Sequence, residues 1–318
     1  MITWNDENRE FYYYAYIYNE PDGEKYYTEY STGTYSTPCK TAAPSKVIDA
    51  TQAEMHKCLI KYGSFQPIQY GDIETTAIRL PSIIFYKQKD LDLKARLVVC
   101  GAPNYIPSDA RSVTYAGAAD PANIIVVDAA YRADAIHRNA LNQLITFTTD
   151  IPPAYLQNKL TRQDTAGHQV VMKLPTKLPH PLAGTWVELI QSQYGLPWSN
   201  SIHARELTLT LATAGFHPAH VPGYAHTPVD RYIYHCVDPL NPFLKSTLCV
   251  TVNDIKGIGF HQPHFDLLLT VLRERYGQEV EFDYTFTPTV AHPTRWRINR
   301  RLFPIYSRNA NIFWHYYH

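Results

Sequence analysis

Residue type and spacing first raise a chemical question at residues 246–259, STLCVTVNDIKGIG, where two β-rich runs meet at Asn253-Asp254. Asn and Asp tolerate left-handed backbone angles and bond to their own backbone, so the pair reads first as hairpin-turn chemistry. A second reading is the remnant of a carboxylate pair for metal ions. Three imidazoles (His217, His220, His226) and a further pair (His261, His264) invite a zinc site. No Cys or carboxylate stands at ligand spacing beside them, so a loop and a helix start are expected there instead. RWRINRR sets Arg295, Arg297, Arg300 and Arg301 around Trp296. Such a basic patch suits either a nucleic-acid backbone or a solvated strand or helix face. No GxSxG setting and no glycine-rich phosphate loop occurs, which removes the nucleophile-elbow hydrolases and the P-loop enzymes.

The 318 residues, 45% of them hydrophobic, can bury one large core or two smaller ones. The five cysteines (Cys39, Cys58, Cys100, Cys236, Cys249) are odd in number, widely spaced and without a CxxC pair. They read as reduced structural residues. No run of about eighteen apolar residues occurs, and the start, MITWNDENREF, lacks the basic-then-apolar order of a signal peptide. An intracellular protein, cytoplasmic or nuclear and with no membrane partner, is expected. Lys and Arg (29) balance Asp and Glu (29), so the chain as a whole is not the basic body of a tight nonspecific nucleic-acid binder.

Several elements must position these residues. The tyrosine-rich start, with Tyr12, Tyr14, Tyr16 and Tyr18 before Pro21-Asp22-Gly23 and Tyr26, Tyr27 and Tyr30 after it, suggests a β-hairpin, followed by a linker over 36–45. Residues 47–62 have helical spacing and stop at Gly63. IRLPSIIFYK and KARLVVC read as strands around the polar turn QKDLDL. Asp120-Pro121 opens a helix that runs toward Ala135. Strands follow at 144–150, 169–174 and 185–190, then a helix over 200–214 that ends at Gly215. After the Asn253-Asp254 hairpin, Phe265, Leu268, Leu269 and Leu272 lie on one face of a helix ending before Gly277. The plan is α+β, with helices packed on one face of an antiparallel sheet.

The blocks TQAEMHKCLIKYGSFQPI, IIFYKQKDLDLKARLVVCG, TFTTDIPPAYLQNKL, VVMKLPTKL, VELIQSQYGL, GFHPAH and CVTVNDIKGIG carry a more specific signal. In order and spacing they resemble the reverse transcriptase domain of copia-type LTR retrotransposons, over roughly residues 48 to 276. The resemblance implies a right-hand polymerase with palm and fingers, RNA-directed DNA polymerase activity, Mg2+ as cofactor, and an RNA template with a DNA primer as partner. It implies fingers and palm over 46–276, flanked by a tyrosine-rich extension over 1–45 and a basic, aromatic extension over 277–318 for which a thumb-like piece is one reading. Nucleotidyl transfer uses two magnesium ions about 3.5–4 Å apart, and these hard ions take carboxylate oxygens. By the resemblance, Asp150 and Asp254 are the catalytic metal ligands. Arg96 and Lys94 meet the incoming triphosphate, for which a guanidinium suits by geometry. Tyr155 gates the sugar.

The departures from the family bear on activity. Asn253 stands where the hairpin has its first aspartate, and the loss of one of three carboxylates implies a rate lower by on the order of a thousandfold. Thr251 replaces the usual Tyr, and Trp198 replaces a Gln that supports nucleotide and template. The expectation is a degenerate polymerase, weak or inactive. The rival is a noncatalytic, domesticated protein that keeps the fold to bind nucleic acid or a protein partner.

Overall fold

The computed structural model describes residues 2–5, 10–13, 43–89, 92–111, 119–221, 224–228, 230–241, 243–285, 294–298 and 301–305. The chain begins with β1 (Ile2–Asn5), β2 (Glu10–Tyr13), α1 (Pro44–His56), β3 (Phe65–Pro67), β4 (Ile78–Lys89), β5 (Asp92–Val99) and α2 (Pro121–His137). Next come β6 (Ile145–Asp150), β7 (Val170–Lys173), β8 (Trp186–Leu189), α3 (Ser199–Thr213), β9 (His217–Pro218), β10 (His220–Val221), β11 (Tyr224–Pro228) and β12 (Ile233–Val237). The last are β13 (Lys245–Thr251), β14 (Asp254–Gly259), α4 (Gln262–Tyr276), β15 (Asp283–Thr285), β16 (Thr294–Ile298) and β17 (Arg301–Ile305). The fold is α+β and divides into two compact units: 1–114 with 155–202, and 115–154 with 203–318. No helix among the described residues is long and apolar enough to cross a membrane.

In the first unit the strand order is β3-β8-β7-β4-β5. β4 changes partner along its length: Ile78–Pro81 run parallel to β7, and Ser82–Lys89 pair antiparallel with β5. Pro81 ends the first ladder, where a residue without an N–H costs least. The sheet is therefore mixed, not wholly antiparallel as the sequence led us to expect. Leu80, Leu97, Met172, Val187 and Trp198 form its core with Met55 and Cys58. α1 begins inside the expected linker and continues past His56 as a π-turn, Lys57–Lys61, before Gly63 at φ 55°. The buried Glu54 on α1 accepts from the Leu97 N–H, covering a donor on the outer edge of β5. β1 and β2 pair antiparallel, and the expected hairpin beyond Tyr13 lies outside the described residues.

In the second unit the order β15-β6-β14-β13-β12-β9 is antiparallel throughout. Strand alternation separates its two faces. On one, Phe147, Leu248, Val250 and Ile255 pack with Leu207 and Leu211 of α3 and Phe265, Leu268 and Leu272 of α4. On the other, Cys249 and Ile258 meet Ile124, Tyr131 and Ala135 of α2. Helices thus cover both faces, which corrects the one-face expectation. The cause is α2, whose apolar stripe has to be buried somewhere. Its first turn is closed as read, with the Asp120 side chain accepting from the Ala122 N–H.

The sheet continues past residue 276, because β15 pairs with β6 and Phe282 stacks on Phe147 with centroids 3.9 Å apart. β16 and β17 form a separate antiparallel pair that carries Arg295, Arg297 and Arg301, while Arg300 lies outside the described residues.

Phe147 lies across β14 at Gly257, where an added Cβ would run into the ring, 2.7 Å from Cδ1 and closer to other ring carbons. Phe282 and Phe265 hold the ring from other sides, so it has no room to retreat. Gly257→Ala is expected to destabilise the second unit by about 1–3 kcal/mol through overpacking. The check is a lower urea midpoint with an unchanged m-value.

Candidate functional site

β6 ends at Asp150 and β14 begins at Asp254, and the register places these two residues directly opposite each other. The Ile151 N–H donates to the Asn253 carbonyl at 2.9 Å. That bond, one residue beyond Asp150 and one before Asp254, makes the carboxylates a non-hydrogen-bonded pair, in which Cα atoms stand about 4.5 Å apart and side chains are closest. Asp150 is exposed, and Asp254 and Asn253 are half-buried. Like charges directly opposite are unfavourable on their own.

Two residues along the same face, the Lys256 ammonium meets Asp128 of α2 at 3.0 Å, and Arg132 meets the same carboxylate at 2.7 Å. Burial pushes the Lys256 ammonium down to about 7 against the pull of Asp128. Burial also raises the Asp128 carboxyl, but Lys256 and Arg132 together outweigh it and hold the group below its ordinary range.

The hairpin tip differs from the expected Asn-Asp turn. Thr251 and Asp254 are register partners, so the two loop residues are Val252 and Asn253. Val252 takes φ 56°, an outlier for a β-branched residue. Such strain persists only where the surroundings enforce it. Here the buried His203 of α3 donates from Nε2 to the Val252 carbonyl at 3.0 Å. The Asn253 amide in turn donates to an Asp150 carboxylate oxygen. The expected reason for Asn at the turn, tolerance of a left-handed backbone, therefore does not apply at 253. Its amide is used on Asp150.

The first unit gathers a second group. Arg96 and Lys94 are exposed and share one face of β5 by strand alternation, and Lys94 stands opposite Lys87 of β4. The Arg96 guanidinium lies over the Tyr194 ring, 4.4 Å from its centroid. Tyr155 meets the same ring edge-on, with centroids 5.6 Å apart at 72°, and its hydroxyl donates to the Asn200 amide oxygen. Burial raises the Tyr155 phenol and takes that of Tyr194 to about 12. Trp198 belongs to the core, its indole N–H donating to the Ala110 carbonyl at 2.9 Å.

Asp150, Asn253 and Asp254 are thus brought together in the second unit, and Arg96 and Tyr155 in the first, with Lys94 on the same strand face as Arg96. The arginines of β16 and β17 lie on neither group of strands. Two carboxylates in register offer oxygens for one magnesium ion. The amide hydrogen turned toward Asp150 does not suit a second ion bridging the same oxygens. Among the described residues no group of three or more His, Cys, Asp and Glu could hold a metal ion.

His203, Tyr194 and Asn200 were not singled out from sequence. Each makes its contact through tertiary packing; Tyr194 stood inside the block VELIQSQYGL, and Asn200 and His203 inside the expected helix over 200–214, with no signal for their contacts. Compared with known proteins, the chain matches no family model and no curated protein.

His203 links the hairpin tip to pH. Burial lowers its imidazole from 6.5 to about 4, with the bond to Val252 opposing. Between these values the unfolded chain holds the proton and the folded one does not, so stability falls as pH drops through that window. Chemical denaturation from pH 7 to pH 4 should show this acid loss in the wild-type chain and a shallower one in His203→Leu. At pH 7 that variant is expected to be less stable by about 1–3 kcal/mol, from the unpartnered Val252 carbonyl.

Proposed function

We propose that the chain is a reverse transcriptase-like domain of the copia type, with a palm in the second unit and a catalytic centre that has lost most or all of its polymerase activity. The observation that carries this reading is the cross-strand pair Asp150 and Asp254. Two carboxylates opposed at a hairpin tip present oxygens on one strand face, and magnesium takes one or two carboxylates together with substrate phosphates. Bound there, magnesium would supply Lewis-acid stabilisation of the attacking hydroxyl and the phosphoryl oxygens. Asp150 and Asp254 would hold it. In this reading Arg96 and Lys94 bind the triphosphate and Tyr155 excludes the ribose 2′-hydroxyl, as the resemblance assigns.

Asn253 supports the loss of activity in two ways. Its amide oxygen is a neutral, weaker ligand for a hard ion, and its N–H occupies an oxygen of Asp150. The same observation favours the second reading, a noncatalytic protein that keeps the fold to bind a template–primer or a protein.

Primer extension on an RNA template with a DNA primer and Mg2+ tests the proposal. Asn253→Asp should extend on the order of a thousandfold faster than the wild-type chain, about 4 kcal/mol of transition-state stabilisation. Robust extension by the wild type would overturn the claim of lost activity. Failure of both proteins, with retained template–primer binding and a steep salt dependence, would favour the noncatalytic reading.

A further inference from the structure

Tyr194 has no role in the reading above, yet Arg96 and Tyr155 both meet its ring. Its backbone is fixed first. The Val99 N–H donates to the Tyr194 carbonyl at 2.8 Å, and Gly195 follows at φ 88°. A Cβ at Gly195 would run into the Val99 carbonyl oxygen and lie 2.7 Å from Val98 Cγ1. Only glycine allows this close approach, so the residue before it is clamped against the end of β5.

The ring is then held by Tyr155 edge-on and, half-buried, packs against the core of the unit. Arg96 lies across it at 4.4 Å. Lys57 reaches the same ring at 6.0 Å, but its ammonium is paired with Glu54. Arg96 is exposed and has no ion-pair partner among the described residues, so its guanidinium is open to an anion. A long flexible cation laid on an aromatic face gives up little further freedom when an anion arrives.

We propose that Tyr194 is the positioning residue for Arg96: the ring holds the guanidinium beside Lys94 so that a polyphosphate anion meets a preorganised pair of cations. The inference rests on the triphosphate role given to Arg96 and extends it to a residue in the segment after β8. It needs no polymerase activity, so it stands or falls separately from primer extension.

The probe is inorganic tripolyphosphate titrated into the full chain by calorimetry. The wild type should bind. Tyr194→Phe, which keeps the ring, should bind about as tightly as the wild type, and Tyr194→Leu about two- to fivefold more weakly, the range of an exposed cation–π contact. In an Arg96→Ala background, Tyr194→Leu should change nothing further, because Tyr194 acts through Arg96. If Tyr194→Leu does not fold, ring-fluorinated phenylalanines at 194 keep the shape while draining the ring face of negative charge. Affinity should then fall in step with fluorination, which a merely structural role would not produce. Absence of wild-type binding, undiminished binding by Tyr194→Leu, indifference to fluorination, or an equal loss without Arg96 would each overturn the proposal.

Discussion

The pairing of β6 with β14 is the constraint on which the second unit depends. Six consecutive partners run from Asp254 opposite Asp150 to Gly259 opposite Ile145. A slip of one residue would turn Phe147 and Ile255 out of the α3–α4 core and carry the two aspartates apart. Register here is a matter of shape as much as of hydrogen bonding. Phe147 needs the bare backbone of Gly257 beside it, and a one-residue slip would set Lys256 or Ile258 there instead. The same alignment that seals the core therefore sets two like charges side by side on the opposite face. Packing on one face of the sheet thus decides which side chains meet on the other.

A comparable dependence governs the first unit, through backbone contact instead of a strand register. Gly195 lets the segment after β8 press on Val98 and Val99, and this fixes Tyr194 near Arg96. Trp198, three residues further on, is drawn into the core by the same path and spends its indole N–H on Ala110. A short run thus contributes an aromatic platform and a core anchor from positions whose side chains diverge in role within one turn of chain.

Much of the secondary structure was legible because its signals are local. Asp120-Pro121 caps and opens α2, and Gly63, Gly215 and Gly277 all take positive φ just beyond helical segments. The strands around 78–99 and 145–150 follow from β-branched runs. The errors came where partners decide. Nothing in IRLPSIIFYK announces that its first residues pair parallel and its last antiparallel. The apolar stripe of α2 tells that it is buried, not on which face. The turn was centred one residue late because Asn253-Asp254 is the better turn dipeptide. The structure instead holds Val252 in the strained position, with His203 bonded to its carbonyl.

By itself, the sequence determined the α+β plan, most of the element boundaries, and the presence of Asp150 at a strand end and Asn253-Asp254 at a hairpin. These follow from chain-local physics: side-chain period, capping chemistry and turn preference. Only the tertiary structure decided that Asp150 and Asp254 are direct cross-strand neighbours and that the Asn253 amide turns to Asp150. It also decided that Arg96 rests on Tyr194. Each of these joins residues about a hundred positions apart, and such contacts are set by register and close packing, which no local stretch of sequence encodes.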